Sequence, residues 1–304
     1  MTKTGEGTAM LDFDRLRELR ARHPGAVAEA AAVRERRATL LDHDGRLMIV
    51  AADHPARGAL GVRGVADAMA DRYDLLRRLA ITLQRPGVDG VLGTPDIIED
   101  LLLLGALDNK IVIGSMNRGG LQGATFELDD RFTGYDAATI EAMRFDGGKM
   151  LTRIDLGDTG SAATLQACGQ AITELAGRGL MAMVEPFLAH REGGRVVNDL
   201  TAAAVRKSVA VVSGLGATSA YTWLKLPVVD DMELVMSATT LPTLLLGGDP
   251  SGDPEQTYAQ WKRALELPGV RGLTVGRALL YPPDGDVAAA VDAAVSLVRA
   301  GSPT

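Results

Sequence analysis

Residues 47–54 read Leu47-Met48-Ile49-Val50-Ala51-Ala52-Asp53-His54. Six consecutive apolar side chains leave no face for water, which is the pattern of a parallel strand covered on both sides by helices. The run then ends abruptly in an acid and an imidazole. Seven more short, mainly apolar runs follow, at 88–93, 110–115, 149–154, 180–186, 221–226, 243–247 and 271–276. Between them lie stretches with helical periodicity, among them 65–85, 137–144, 162–178, 202–212 and 254–266, each long enough for a crossover helix.

Eight strand–helix units without a break in composition predict an α/β fold closed into a (β/α)8 TIM barrel. An open doubly wound sheet is more typical of about five or six strands. Its dinucleotide-binding form also lacks a fingerprint here, because Gly58, Gly61 and Gly64 have the wrong spacing after the first run. Barrels commonly reach about 250 residues or more as one unit, so 304 residues fit a single domain. The barrel is expected at 43–304, after an N-terminal helical extension at 1–42 that carries two charged helical patterns.

With 46% hydrophobic residues the chain carries enough apolar surface for a large core. The formal net charge is -7, and no run of Lys and Arg is dense enough to hold a polyphosphate, so no nucleic-acid partner is expected. No segment approaches the ~20 uninterrupted apolar residues that cross a bilayer, and no basic stretch leads into an apolar core near the start. A chain without membrane association, in the cytoplasm, is the default expectation. The single cysteine, Cys168, falls in a helical run, where a small buried thiol is the ordinary reading.

Branched apolar side chains fill the inside of a barrel, so a charged residue on a strand needs a partner or a task. Four runs carry charge toward one end: Asp53 and His54 end the first, Lys149 and Arg153 sit on the fourth, Glu185 on the fifth and Lys225 on the sixth. Only six lysines occur against 26 arginines, yet Lys149 and Lys225 both fall within apolar runs. An amine among Trp223, Leu224, Leu226 and Pro227 is desolvated, and desolvation favours the neutral form, more so beside a second cation. A neutral amine attacks a carbonyl to give a Schiff base, an electron sink for breaking a neighbouring carbon–carbon bond. The competing expectation is structural: a buried ion pair of Lys225 with Glu185 or Asp53 that satisfies the mouth of the barrel. Position alone leaves both open.

The seventh run passes into Gly247-Gly248-Asp249 and the eighth into Gly276-Arg277. In many barrels the loops after strands seven and eight hold a phosphoryl group on backbone N–H groups, and arginine adds a bidentate contact. Either glycine motif alone is as readily a plain turn; the two together predict a phosphorylated substrate. The long connection 116–135, with Asn117, Gly119, Gly120 and Gly123 and no clear periodicity, is read as a lid that closes over substrate, with simple loop mobility the competing expectation. His54 and His190 lack the paired spacing of metal ligands, so neither metal nor cofactor is expected. Trp223 and Trp261 are expected in the core.

These segments resemble the class I (Schiff-base) aldolases of the tagatose-bisphosphate and archaeal-type fructose-bisphosphate (DhnA-like) group, related to deoxyribose-phosphate aldolase. Ala51-Ala52-Asp53-His54 is similar to the acidic signature ending the first strand, Gly148-Lys149-Met150-Leu151 to the lysine-bearing fourth strand of the tagatose type, and Val184-Glu185-Pro186 to its fifth-strand Glu-Pro. Trp223-Leu224-Lys225-Leu226-Pro227 resembles the strand with the Schiff-base lysine, and Leu246-Gly247-Gly248 and Val275-Gly276-Arg277-Ala278 resemble the closing phosphate-binding motifs.

The resemblance implies an aldehyde-lyase of carbohydrate metabolism that cleaves a phosphorylated ketose or keto sugar acid reversibly, and a homo-oligomer. It implies Lys225 as covalent catalyst and Glu185 as proton shuttle to the hydroxyl whose carbon–carbon bond breaks. Asp53 would help form and hydrolyse the imine, Lys149 would keep the Lys225 amine neutral and contact substrate, and Arg277 would hold phosphate. His54, Asn117, Gly247, Gly248 and Gly276 complete the expected substrate-binding set. Where the archaeal fructose type has tyrosine after strand four, Thr152-Arg153 stands here, so Arg153 is expected to meet a carboxylate. The chain is also similar to an actinobacterial branch found with inositol catabolism, which implies cleavage of 6-phospho-5-dehydro-2-deoxygluconate to dihydroxyacetone phosphate and malonate semialdehyde. Two other readings stay open on the same fold: a metal-dependent lyase or isomerase, and a catalytically silent sugar-phosphate-binding barrel.

Overall fold

The computed structural model describes residues 11–42, 44–248 and 252–300. Among them nine strands form: β1 (Leu47–Ala51), β2 (Gly90–Gly93), β3 (Ile111–Ser115), β4 (Gly147–Ile154), β5 (Met181–Glu192), β6 (Arg195–Asn198), β7 (Thr222–Leu226), β8 (Thr243–Leu246) and β9 (Val270–Val275). Eight are parallel and run around a ring in the order β4-β3-β2-β1-β9-β8-β7-β5, closed by the pairing of β4 with β5. The fold is the closed parallel barrel that the apolar runs predict. β6 stands outside the ring: after a turn at Gly193 and Gly194, both at positive φ, it folds back antiparallel on the outer part of β5.

Helices α1 (Phe13–Arg22) and α2 (Ala26–Val33) precede the barrel. Around it follow α3 (Arg72–Gln84), α4 (Pro95–Leu103), α5 (Ala137–Ala142), α6 (Gly160–Ala176), α7 (Ala202–Ser213), α8 (Met232–Met236), α9 (Pro254–Leu265), α10 (Arg277–Leu280) and α11 (Val287–Ala300). The periodic stretch at 65–85 becomes α-helix only from Arg72, because Asp71 caps the first turn by accepting from the N–H groups of Tyr73 and Asp74. In the N-terminal extension the helices end at Val33, and residues 34–42 form no helix.

Side chains alternate between two cores. Leu47, Ile49 and Ala51 of β1 pack inside the ring with Leu92, Ile111, Ile113, Met181, Met183, Trp223 and Leu244. Met48 and Val50 belong instead to the layer between strands and helices, where β1 meets α3 and α11. Both faces of the strand are therefore apolar, which is why residues 47–52 read as an unbroken run. Leu40 and Leu41 pack against the inner cluster, and Arg37 pairs with Asp89, just before β2, at 2.6 Å. The end of the extension thus covers the N-terminal ends of the strands and leaves their C-terminal ends for a site. Cys168 and Trp261 are buried, as expected. Among the described residues no helix is long and apolar enough to cross a membrane.

Candidate active site

Register places the charged side chains. β4 pairs Lys149 with Met183 and Leu151 with Glu185, and β5 pairs Met183 with Trp223 of β7. Because side chains alternate, Lys149, Met183 and Trp223 share one layer of the barrel interior, and Glu185 and Lys225 stand one layer nearer the C-terminal ends. All three charged residues line a cavity of about 550 Å³ at that end, together with Asp53 and Arg118.

Glu185 bridges the two lysines: one carboxylate oxygen accepts from Lys225 Nζ at 2.8 Å and the other pairs with Lys149 Nζ. Lys149 also donates to Asp53 Oδ2 at 3.3 Å. The same oxygen lies 2.9 Å from Arg118 Nη2 and accepts from the Ser115 hydroxyl at 3.1 Å. None of the five charged residues is more than 8% exposed. Groups this far from water survive as ions only in a matched cluster.

The protonation states follow from that matching. Burial works to raise the Glu185 carboxyl, but the ammonium groups of Lys149 and Lys225 outweigh it and hold the carboxyl at about 2. Asp53 is held well below the usual carboxylate range: burial again opposes, and Arg118 and Lys149 prevail. Lys149 is pushed down to about 8 by burial, against the pull of Asp53 and Glu185. His54, on the cavity wall, is pushed down to about 3 by burial, with Arg277 and Lys225 adding to it against Asp53, so its ring is neutral at physiological pH. The ion pair expected as the structural explanation of Lys225 exists. It does not exhaust the residue, because the paired amine also lines an open cavity.

Gly247, Gly248, Gly276 and Arg277 line the same cavity at the ends of β8 and β9; β9 lies across the ring from β4. A Cβ on Gly276 would lie 2.3 Å from the Ala51 carbonyl oxygen, so the close approach to β1 requires glycine whatever the ligand. Gly248 is left-handed, at φ 67°, with open space around it. Arg277 donates to the Gly61 carbonyl at 3.3 Å, and its buried Nε has no hydrogen-bond partner among the described residues. Asp249 lies outside the described residues.

Two expected contacts take another form. Asn117 does not line the cavity: its carboxamide donates to the Leu151 carbonyl at 2.6 Å and accepts from the Leu151 N–H at 2.8 Å, fastening the segment after β3 to β4. Arg153 does line the cavity, but its guanidinium pairs with Glu127 and donates to the Glu127 carbonyl at 3.1 Å. A buried guanidinium requires a counter-ion, and the segment supplies it, so Arg153 is not an unpaired receptor for a carboxylate. Arg57 adds a second tie, donating to the carbonyls of Gly120 at 2.7 Å and Asn117 at 2.9 Å and pairing with Asp130 at 2.5 Å. Residues 116–135 line the mouth and are tied down by two buried ion pairs, contacts that a closing lid would have to give up.

Arg118, Ser115 and Arg57 join the site without having been singled out in the sequence. Ser115 and Arg118 stand at and just after the C-terminal end of β3, the end at which barrel sites are built, and that placement is the signal that marks them. Among the described residues no group of three or more His, Cys, Asp or Glu side chains is placed to hold a metal ion. Among the described residues that line the cavity, Arg57–Asp130 and Arg153–Glu127 cancel, whereas Arg118, Lys149, Lys225 and Arg277 face Asp53 and Glu185. The surplus of cations favours an anionic ligand.

The crystal structure of Cgl0159 from Corynebacterium glutamicum is 59% identical, covers 95% of this chain and 97% of its own, and superposes with a TM-score of 0.92. An archaeal fructose-1,6-bisphosphate aldolase, with its catalytic Lys covalently bound to the carbinolamine intermediate of the substrate, is 18% identical over 90% of this chain and 99% of its own, with a TM-score of 0.63. A fructose-bisphosphate aldolase from Slackia heliotrinireducens is 15% identical over 100% of this chain and 97% of its own, with a TM-score of 0.58. At such identities the two aldolases share the barrel fold with this chain. No match is found among the curated proteins. The Cgl0159-like family model matches residues 45–295, from just before β1 into α11, and the chain belongs to that family.

Proposed function

We propose that the chain is a class I aldolase in which Lys225 forms a Schiff base with a phosphorylated ketose or keto sugar acid and a carbon–carbon bond is cleaved reversibly. The observation that carries this reading is the setting of Lys225: a buried amine on a barrel strand, 2.8 Å from a carboxylate, facing a cavity with surplus positive charge. The shared fold of an aldolase whose catalytic lysine is bound covalently to substrate supports it.

The attacking form is the neutral amine. As Lys225 Nζ adds to the carbonyl carbon, a C–N bond forms and the carbonyl oxygen takes up a proton. The nitrogen then gives up one of its own protons and the oxygen, taking a second, leaves as water, so that a protonated imine remains. Loss of the proton from the hydroxyl two carbons along sends the electrons of the intervening carbon–carbon bond into the imine, so an aldehyde departs and an enamine is left. Protonation of the enamine carbon and hydrolysis return Lys225 and a ketone. Glu185, within hydrogen-bond reach of Nζ, is placed to carry these protons. Arg277 and the backbone at Gly247, Gly248 and Gly276 receive the phosphate. Within this class the substrate we favour is 6-phospho-5-dehydro-2-deoxygluconate, anionic at both ends and so suited to the cationic surplus, which gives dihydroxyacetone phosphate and malonate semialdehyde.

The test is turnover of a panel of phosphorylated ketoses and keto sugar acids in the presence of a chelator, with triose phosphate release read by mass spectrometry. Wild type is expected to cleave at least one of them, and Lys225→Ala to lose at least about 1,000-fold in rate. Undiminished cleavage by Lys225→Ala, or loss of all cleavage on chelation, overturns the reading.

A further inference from the structure

Asp53 and Glu185 are both buried carboxylates among the cations of one cavity, yet their surroundings differ. Glu185 offers one oxygen to each lysine. Asp53 accepts on Oδ2 from the Ser115 hydroxyl at 3.1 Å and from Lys149 Nζ at 3.3 Å, and Arg118 Nη2 makes an ion pair with the same oxygen at 2.9 Å. Its Oδ1 lies 3.9 Å from Nδ1 of the neutral His54.

Arg118 is itself held firmly. Its Nη1 donates to the main-chain oxygen of Asp53 at 2.9 Å and its Nε to that of Asn117 at 2.7 Å. Asn117 is fixed in turn by both of its hydrogen bonds to the Leu151 main chain. The guanidinium is therefore tied to the end of β1, to the segment after β3 and, through Asn117, to β4.

We propose that Arg118 is a positioning residue that locks Asp53 as a permanent anion, so that the protons of the reaction travel over Glu185 and Lys149 while Asp53 only places Lys149. A buried carboxylate paired with both a guanidinium and an ammonium is neutralised only at the cost of both ion pairs, and a guanidinium stays charged where an ammonium does not. The charged or titratable groups facing Asp53 are Arg118, Lys149, His54 and Lys225; those facing Lys149 are Asp53, Glu185, Arg118 and Lys225. Of these the Lys149 ammonium, pushed down to about 8, is poised to release a proton near neutrality, and Glu185 connects it to Lys225. The inference rests on the Schiff-base reading of Lys225.

Two measurements on the full chain test it. The first is the pH dependence of borohydride-trapped adduct formation with dihydroxyacetone phosphate in wild type, Arg118→Met and Arg118→Lys. Removing the guanidinium raises the Asp53 carboxyl by about one to three pH units. Arg118→Met is then expected to show an acid limb displaced upward from wild type, and Arg118→Lys to move it part of the way back. A merely structural role lowers the plateau and leaves the limb in place, and that result overturns the proposal.

The second is a carboxyl-carbon NMR titration of the folded protein without substrate, in which the Asp53 signal is the one missing from Asp53→Asn. An Asp53 signal that titrates alike in wild type and in the Arg118 variants refutes the lock whether or not an adduct forms. Absence of any adduct in wild type refutes the Schiff-base reading, and the titration still decides on Arg118.

Discussion

Lys149 and Lys225 are both ammonium groups taken out of water, and the single Glu185 carboxylate answers both. Removing the shared partner leaves two buried cations without it, so Glu185→Gln is expected to lower the free energy of unfolding at neutral pH by about 3–5 kcal/mol, measured by urea denaturation. The pH dependence has a definite sign. Glu185 is held at about 2, below its ordinary value, so its contribution is fully present above that ordinary value and is lost as the pH falls toward about 2. Wild type and Glu185→Gln should therefore differ most near neutrality and converge in acid; equal stability at neutral pH contradicts the bridging role. At this scale the sequence was most legible where charge interrupts an apolar run: Asp53, Lys149, Glu185 and Lys225 meet in one cluster. Arg118 was not legible, because an arginine in a glycine-rich stretch reads as a solvated loop residue. The partner that gives it meaning, Asp53, is 65 positions away.

Residues 116–135 were read as a closing lid, and the structure shows what holds them. The length and glycine content suggest a lid, whereas Arg57–Asp130, Arg153–Glu127 and the clasp of Asn117 on Leu151 tie the segment to the barrel. Asn117→Ala would leave the N–H and carbonyl of Leu151 without these partners. It is expected to cost about 2 kcal/mol or more and to raise amide exchange across the segment. Exchange there that is already fast in wild type and indifferent to the substitution would restore the lid. The ring strands were legible because both of their faces are buried, so apolar runs mark them directly. The β5–β6 hairpin was not, since Pro186 reads as a strand end. In the structure Pro186 pairs with Thr152 inside the ladder and the strand continues to Glu192.

The whole molecule separates its charges. It carries a formal net charge of -7, yet among the described residues the mouth of the barrel gathers more cations than anions and the opposite end is covered by Leu40 and Leu41. An anion is thus drawn to one end of a negatively charged protein. Closure of the ring brings β4, β5 and β7 side by side, so residues 149, 185 and 225 become neighbours despite their separation along the chain. The order of the apolar runs foretells that arrangement, while the counter-ions of Arg153 and Arg57 depend on packing that no run reveals. The most direct measurement is intact-mass spectrometry after borohydride reduction with dihydroxyacetone phosphate, followed by mapping of the modified peptide. A single reduced adduct on Lys225, absent from Lys225→Ala, is the predicted result. No adduct with this or any of a panel of phosphorylated ketoses, or an adduct on Lys149 in place of Lys225, would contradict it.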